Sequence, residues 1–119
     1  MEYPTELTGQ EIAGVYIHEP GALVSNFAIA LTCLIIGVSV GRLKYRTSKL
    51  WLLFVISIGI AASGGMISHG FPTHISPDQF FGVWWVKNCF VLSGNFFAAL
   101  AVFQLTAVRS KKIVILLAV

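Results

Sequence analysis

The sequence predicts an all-α, polytopic membrane protein with three transmembrane helices, the start of a truncated fourth, and its N-terminus outside. Three observations lead there. Of 119 residues, 56% are hydrophobic and 11% charged, against about 25% charged in a soluble domain. The chain therefore lacks the polar material to cover a water-facing surface, and its mean hydropathy is +0.82. The apolar residues gather in runs long enough to cross a hydrocarbon core, which takes roughly 20 residues. The charges are segregated: seven of the eight basic residues and all five acidic ones fall on opposite sides of the alternating runs.

The segment 1–18 reads as an extracytoplasmic N-terminal stretch, and 19–119 as a single membrane helical domain. Thr8-Gly9-Gln10-Glu11 fits a capping box and is expected to start a short interfacial helix. The first transmembrane helix is expected over about 20–41. Pro20 suits a first helical position, and Glu19 before it complements the positive helix end. A short basic loop follows. The second helix, about 51–71, opens on Trp51 as an interfacial anchor. Two prolines, Pro72 and Pro77, mark a loop. The third helix is expected over about 80–108, with Trp84 and Trp85 near its outer end. After Arg109-Ser110-Lys111-Lys112, the run 113–119 is too short to span and reads as the start of a fourth helix.

Charge sets the expected topology. Arg42, Lys44, Arg46 and Lys49 occupy one loop, and Arg109, Lys111 and Lys112 follow a later helix on the same side. Glu2, Glu6, Glu11, Glu19 and Asp78 lie on the other. The positive-inside rule puts the basic loops in the cytoplasm and the N-terminus outside or in a lumen. No basic n-region precedes the first apolar run, which speaks against a cleaved signal peptide. Cys33 and Cys89 sit singly in apolar runs, so no thiol motif is readable. No basic patch with interleaved aromatics occurs, which leaves nucleic-acid binding without support. The expected partners are the lipid bilayer, a lipid substrate, and other membrane helices or an oligomer.

With that topology, polar residues converge in depth on the outer half. His18 and Glu19 start helix one, and Asn26 lies two turns further in on the same face. Ser68 and His69 end helix two, and Ala62, Gly65 and His69 share one of its faces. Lys87 and Asn88 lie about two turns into helix three, with Asn95 two turns deeper. Each residue also has a plain reading. An interfacial histidine can bond a carbonyl or headgroup, asparagines can tie helices together, and the small residues 61–65 can simply pack. Lys87 is the least easily dismissed, because an ammonium at that depth needs a partner such as Glu19 or Asp78. A three-histidine zinc site from His18, His69 and His74 is conceivable on the same side, without the usual fixed spacing.

Two stretches resemble a known family. Glu19-Pro20-Gly21-Ala22-Leu23-Val24-Ser25-Asn26 is similar to the first-helix pattern of alkaline ceramidases, a glutamate followed by Ser-Asn. Ser63-Gly64-Gly65-Met66-Ile67-Ser68-His69 resembles their second-helix pattern, a small-residue turn before a zinc-binding histidine. These enzymes share a seven-helix superfamily with the progestin and adiponectin receptor-like proteins. The resemblance implies a zinc-dependent membrane hydrolase acting on a lipid amide. By position, it implies His69 as a zinc ligand and Glu19 as the match to an acidic residue of the calcium-binding region. Asn26 and Lys87 join Glu19 as cofactor-binding candidates. The family's serine four positions before the histidine is replaced by Gly65, leaving Ser63 or Ser68 as substitute hydroxyls. Asp78 is the counterpart of the family's later aspartate, and no His-x-x-x-His pair occurs in 1–119. The rival expectation is a small non-enzymatic membrane subunit or scaffold whose polar residues serve helix association. An ion or proton pathway through Glu19, His69 and Lys87 is a third.

Overall fold

A computed structural model describes residues 9–45 and 47–117, with side chains described as far as 107. Thr8, Glu2, Glu6 and Arg46 lie outside the described residues, as do 118 and 119. Three long helices dominate: α1 (Pro20–Gly41), α2 (Ser48–Gly70) and α3 (Pro77–Leu117), preceded by strands β1 (Gln10–Ile12) and β2 (Val15–Ile17). All three helices are long and apolar enough to cross a membrane, over Pro20–Gly41, Ser48–Gly70 and Pro77–Ala107.

The N-terminal segment forms a hairpin where a short helix was expected. β1 and β2 pair antiparallel with Ile12 opposite Val15. The two residues between them, Ala13 and Gly14, both have positive φ, 52° and 79°. Left-handed geometry at both central positions is what the twist of a tight hairpin requires. The β-branched and aromatic run Val15-Tyr16-Ile17 favours a strand, and this outweighs the Thr8–Glu11 capping-box pattern of the sequence.

The α1 helix opens on Pro20, and Glu19 at its N-cap makes no side-chain capping bond. The α2 helix begins at Ser48, three residues before the expected start. The Ser48 hydroxyl donates to the Leu43 and Tyr45 carbonyls, at 2.9 and 2.6 Å, and so shapes the preceding loop. Pro72 then disfavours helical backbone at Phe71, where φ is −130°, and α2 ends. A reciprocal capping box starts α3 earlier than expected. The Gln79 N–H donates to Ser76 Oγ at 3.3 Å, and the Ser76 N–H to Gln79 Oε1 at 2.9 Å, with Pro77 at the first helical position. The expected boundary at 109–112 is absent from the backbone: α3 runs unbroken to Leu117. Serine, lysine and arginine all tolerate a helix interior, and no glycine or proline interrupts them.

The α2 helix lies between the other two and packs on both. Its buried positions are Ser48, Val55, Ser57, Ala61, Ala62, Gly65, Ser68 and Gly70, nearly all small. The antiparallel α1–α2 seam is keyed by glycines that change helix halfway along it. Toward the hairpin end, Leu23, Asn26 and Cys33 of α1 lie against Gly70, Gly65 and Gly59 of α2. Toward the basic-loop end, Leu52 and Val55 of α2 lie against Gly41 and Gly37 of α1. On the other side, Gly64 meets Lys87 and Gly94 meets Ser57 and Ile58. Small residues let backbones approach, which is how helices gain dispersion contact where lipid supplies no hydrophobic drive.

Candidate functional site

The hairpin end of the bundle collects the end of α2, the start of α1 and the three-residue 3₁₀ turn Pro72–His74. A helix end leaves its last carbonyls without partners, and a helix start leaves its first N–H groups likewise. Here the chain entering α1 helps to solve both problems. The N–H of His18 donates to the Gly70 carbonyl and that of Glu19 to the His69 carbonyl, each at 3.0 Å. These two bonds set the side chains of Glu19 and His69 face to face. The Nδ1–H of His69 donates to Glu19 Oε2 at 2.8 Å, across fifty residues of sequence. The carboxylate sits at the positive end of α1 and the imidazole at the negative end of α2, so both helix dipoles favour the arrangement. Both side chains are a little under half exposed, at 45% and 40%.

His18 stands beside this pair. It is buried, its Nε2 is 3.9 Å from Glu19 Oε1, and its Nδ1 has no hydrogen-bond partner among the described residues. His74 reaches the hairpin instead, its Nε2–H donating to the Tyr16 carbonyl at 3.1 Å. Below His69, Asn26 lies directly over Gly65. A side chain at 65 would begin 2.7 Å from Asn26 Oδ1, so glycine is required for this approach. The Asn26 amide donates back to the Ala22 carbonyl of its own helix at 2.9 Å.

The remaining expected residues are not gathered here. Ser63 is exposed and donates to the Gly59 carbonyl at 2.9 Å, while buried Ser68 donates to Gly65 at 3.4 Å. Neither hydroxyl is aimed at His69. Asp78 is exposed in the first turn of α3. Lys87 is half-buried against Gly64, and among the described residues it pairs with neither Glu19 nor Asp78. Asn88 donates to its own helix at the Trp84 carbonyl, 2.8 Å away. Asn95 is exposed. His18 was the residue whose closeness to Glu19 and His69 sequence spacing understated. Its one signal was adjacency to Glu19 at the turn into α1.

A catalytic zinc takes three protein ligands and leaves one position open. Among the described residues no group of three histidine, cysteine, aspartate or glutamate side chains is disposed to hold a metal ion. The expected His18, His69 and His74 set is split, since His69 faces Glu19 and His74 faces Tyr16. The described residues therefore do not fit a zinc centre on their own. What they present is one imidazole with a carboxylate on Nδ1, leaving Nε2 as the nitrogen for a ligand or a proton. No curated protein and no solved structure matches the chain. A family model matches residues 22–119, which takes in Asn26, Gly65 and His69 but begins after Glu19, and the chain belongs to that family, DUF6962, a family of unknown function.

Proposed function

We propose that this is an integral membrane protein with its hairpin end outside, and that Glu19 and His69 form part of the working site of a membrane hydrolase of the ceramidase-like type. The observation that carries this reading is the 2.8 Å bond between Glu19 and His69. A carboxylate on one ring nitrogen fixes the tautomer and orientation of a histidine. That leaves the other nitrogen facing outward, the usual arrangement of a metal-binding or proton-accepting imidazole. The rim position suits a substrate with a polar linkage at the membrane surface and its apolar part in the bilayer, as in a lipid amide. A zinc ion held at His69 would need further protein ligands to complete the usual three.

A second reading has its own observation. The two backbone bonds from His18 and Glu19 to the end of α2, each 3.0 Å, make the same pair a structural latch. In that case the protein is a helix-packing subunit, with Asn26 on Gly65 as its key contact. Metal content of the detergent-purified protein separates the two. The hydrolase reading expects near-stoichiometric zinc that is lost in His69→Ala and held roughly ten-fold more weakly in Glu19→Gln. A well-folded protein with no metal in either form removes that reading and leaves the latch.

A further inference from the structure

A second concave region runs along the α1–α2 seam to the basic-loop end, and neither Glu19 nor His69 lines it. Between α1 and α2, lined by residues of those two helices alone, runs an apolar groove of about 610 Å³. It extends from Phe27 and Met66 to Gly37, Val38 and Leu52. At the basic-loop end lies a smaller pocket of about 280 Å³, lined by Lys44, Tyr45, Ser48 and Lys49 over Gly41 and Leu52. Leu52 lines both, so the apolar groove and the cationic pocket adjoin at that side chain.

We infer that these two adjoining regions together bind an anionic phospholipid, its headgroup between Lys44 and Lys49 and one acyl chain along the groove. Length supports the match. From Phe27 to Val38 on α1 is eleven residues and from Leu52 to Met66 on α2 fourteen, roughly 16 and 21 Å of helix, which is one leaflet or a little more of the ~30 Å hydrocarbon core. Charge selects the headgroup. No aspartate or glutamate occurs between Pro20 and Pro77. Lys44 and Lys49 are exposed and, among the described residues, form no ion pair. The Ser48 hydroxyl is spent on the loop carbonyls of Leu43 and Tyr45. The pocket thus offers two ammonium groups with no protein counter-charge, beside an exposed tyrosine of the kind that sits at headgroup level. The inference requires only that α1 and α2 span the membrane.

Native mass spectrometry of the protein released from vesicles containing phosphatidylcholine and phosphatidylglycerol in equal amounts tests it. The wild-type chain should retain phosphatidylglycerol over phosphatidylcholine by roughly ten-fold. Lys44→Gln with Lys49→Gln should bring the ratio close to one, whereas Lys44→Arg with Lys49→Arg should keep it. Arg42→Gln, on the same loop but not lining the pocket, should also keep it. Ala30→Phe, which fills the groove without altering charge, should lower retention of both lipids. Equal retention by the wild type would overturn the proposal. So would an unchanged preference in the double glutamine variant, an equal loss in Arg42→Gln, or a second copy of the chain held on the groove in place of lipid.

Discussion

The α1 and α2 helices are almost the same length, 22 and 23 residues, and nearly equally apolar, yet none of α1's residues is buried while eight of α2's are. In water such a difference would follow from hydrophobicity. In a bilayer it cannot, because lipid tails solvate leucine as well as another helix does. The difference lies in size. Phe27, Leu34, Ile35 and Val38 stand exposed on α1, whereas α2 buries serine, alanine and glycine. The central helix of this layer is the one whose neighbours can come close.

The largest effect should come from removing that closeness. Gly65→Val places branched carbon where Asn26 already sits, and should cost about 3 kcal/mol of bundle stability. Thermal unfolding in detergent reads this directly. Asn26→Ala in the same chain should recover part of the loss, and strictly additive effects would show that the two residues do not touch.

The polar link between the start of α1 and the end of α2 ranks next. His69→Ala should cost about 1 kcal/mol or less, since both side chains are substantially solvated and water can take the place of the imidazole at the Glu19 carboxylate. Glu19→Gln, which keeps an acceptor, should cost less still. A loss of several kcal/mol in the glutamine variant would mean that the carboxylate's charge holds the bundle together more strongly than this geometry implies.

The smallest effects belong to the exposed face of α1. Leu34→Ala should change stability by roughly 0.5 kcal/mol or less, because lipid replaces the lost methyls. On the α1–α2 seam rather than the exposed face, Gly37→Ala should be similarly mild, as the added carbon meets Val55 at an ordinary 3.7 Å. If Leu34→Ala destabilises as much as Gly65→Val, the face is covered by protein and the contrast between the two helices fails.

Much of this architecture was legible from residues alone. Pro20, the basic loop and Pro72 bound the helices because they act locally, through a fixed φ, a charge that avoids hydrocarbon, and a missing N–H. The start of α3 was legible too, in Ser76-Pro77-Asp78-Gln79, although the two prolines drew attention to the loop instead. The hairpin was harder. Ala13 is a poor marker of a left-handed turn, and only the pairing of Ile12 with Val15 makes the strained position worthwhile. The site was partly legible: Glu19 and His69 were both singled out, and they meet. For Lys87, Asn88 and Asn95 the sequence gives a position along the helix, but that does not say which way a side chain turns.

By itself the sequence determined three helices able to span a membrane and the segregation of charge along them, since burial in hydrocarbon depends on length and composition summed over a run. Tertiary structure alone decided that α2 is central, that Asn26 lies over Gly65, and that His18 joins Glu19 and His69 at the rim. Those outcomes depend on helix rotation and on contacts between residues some forty to fifty positions apart. A uniformly apolar helix carries no face preference to predict them; the fit of small residues against large ones selects the arrangement only once the helices are side by side.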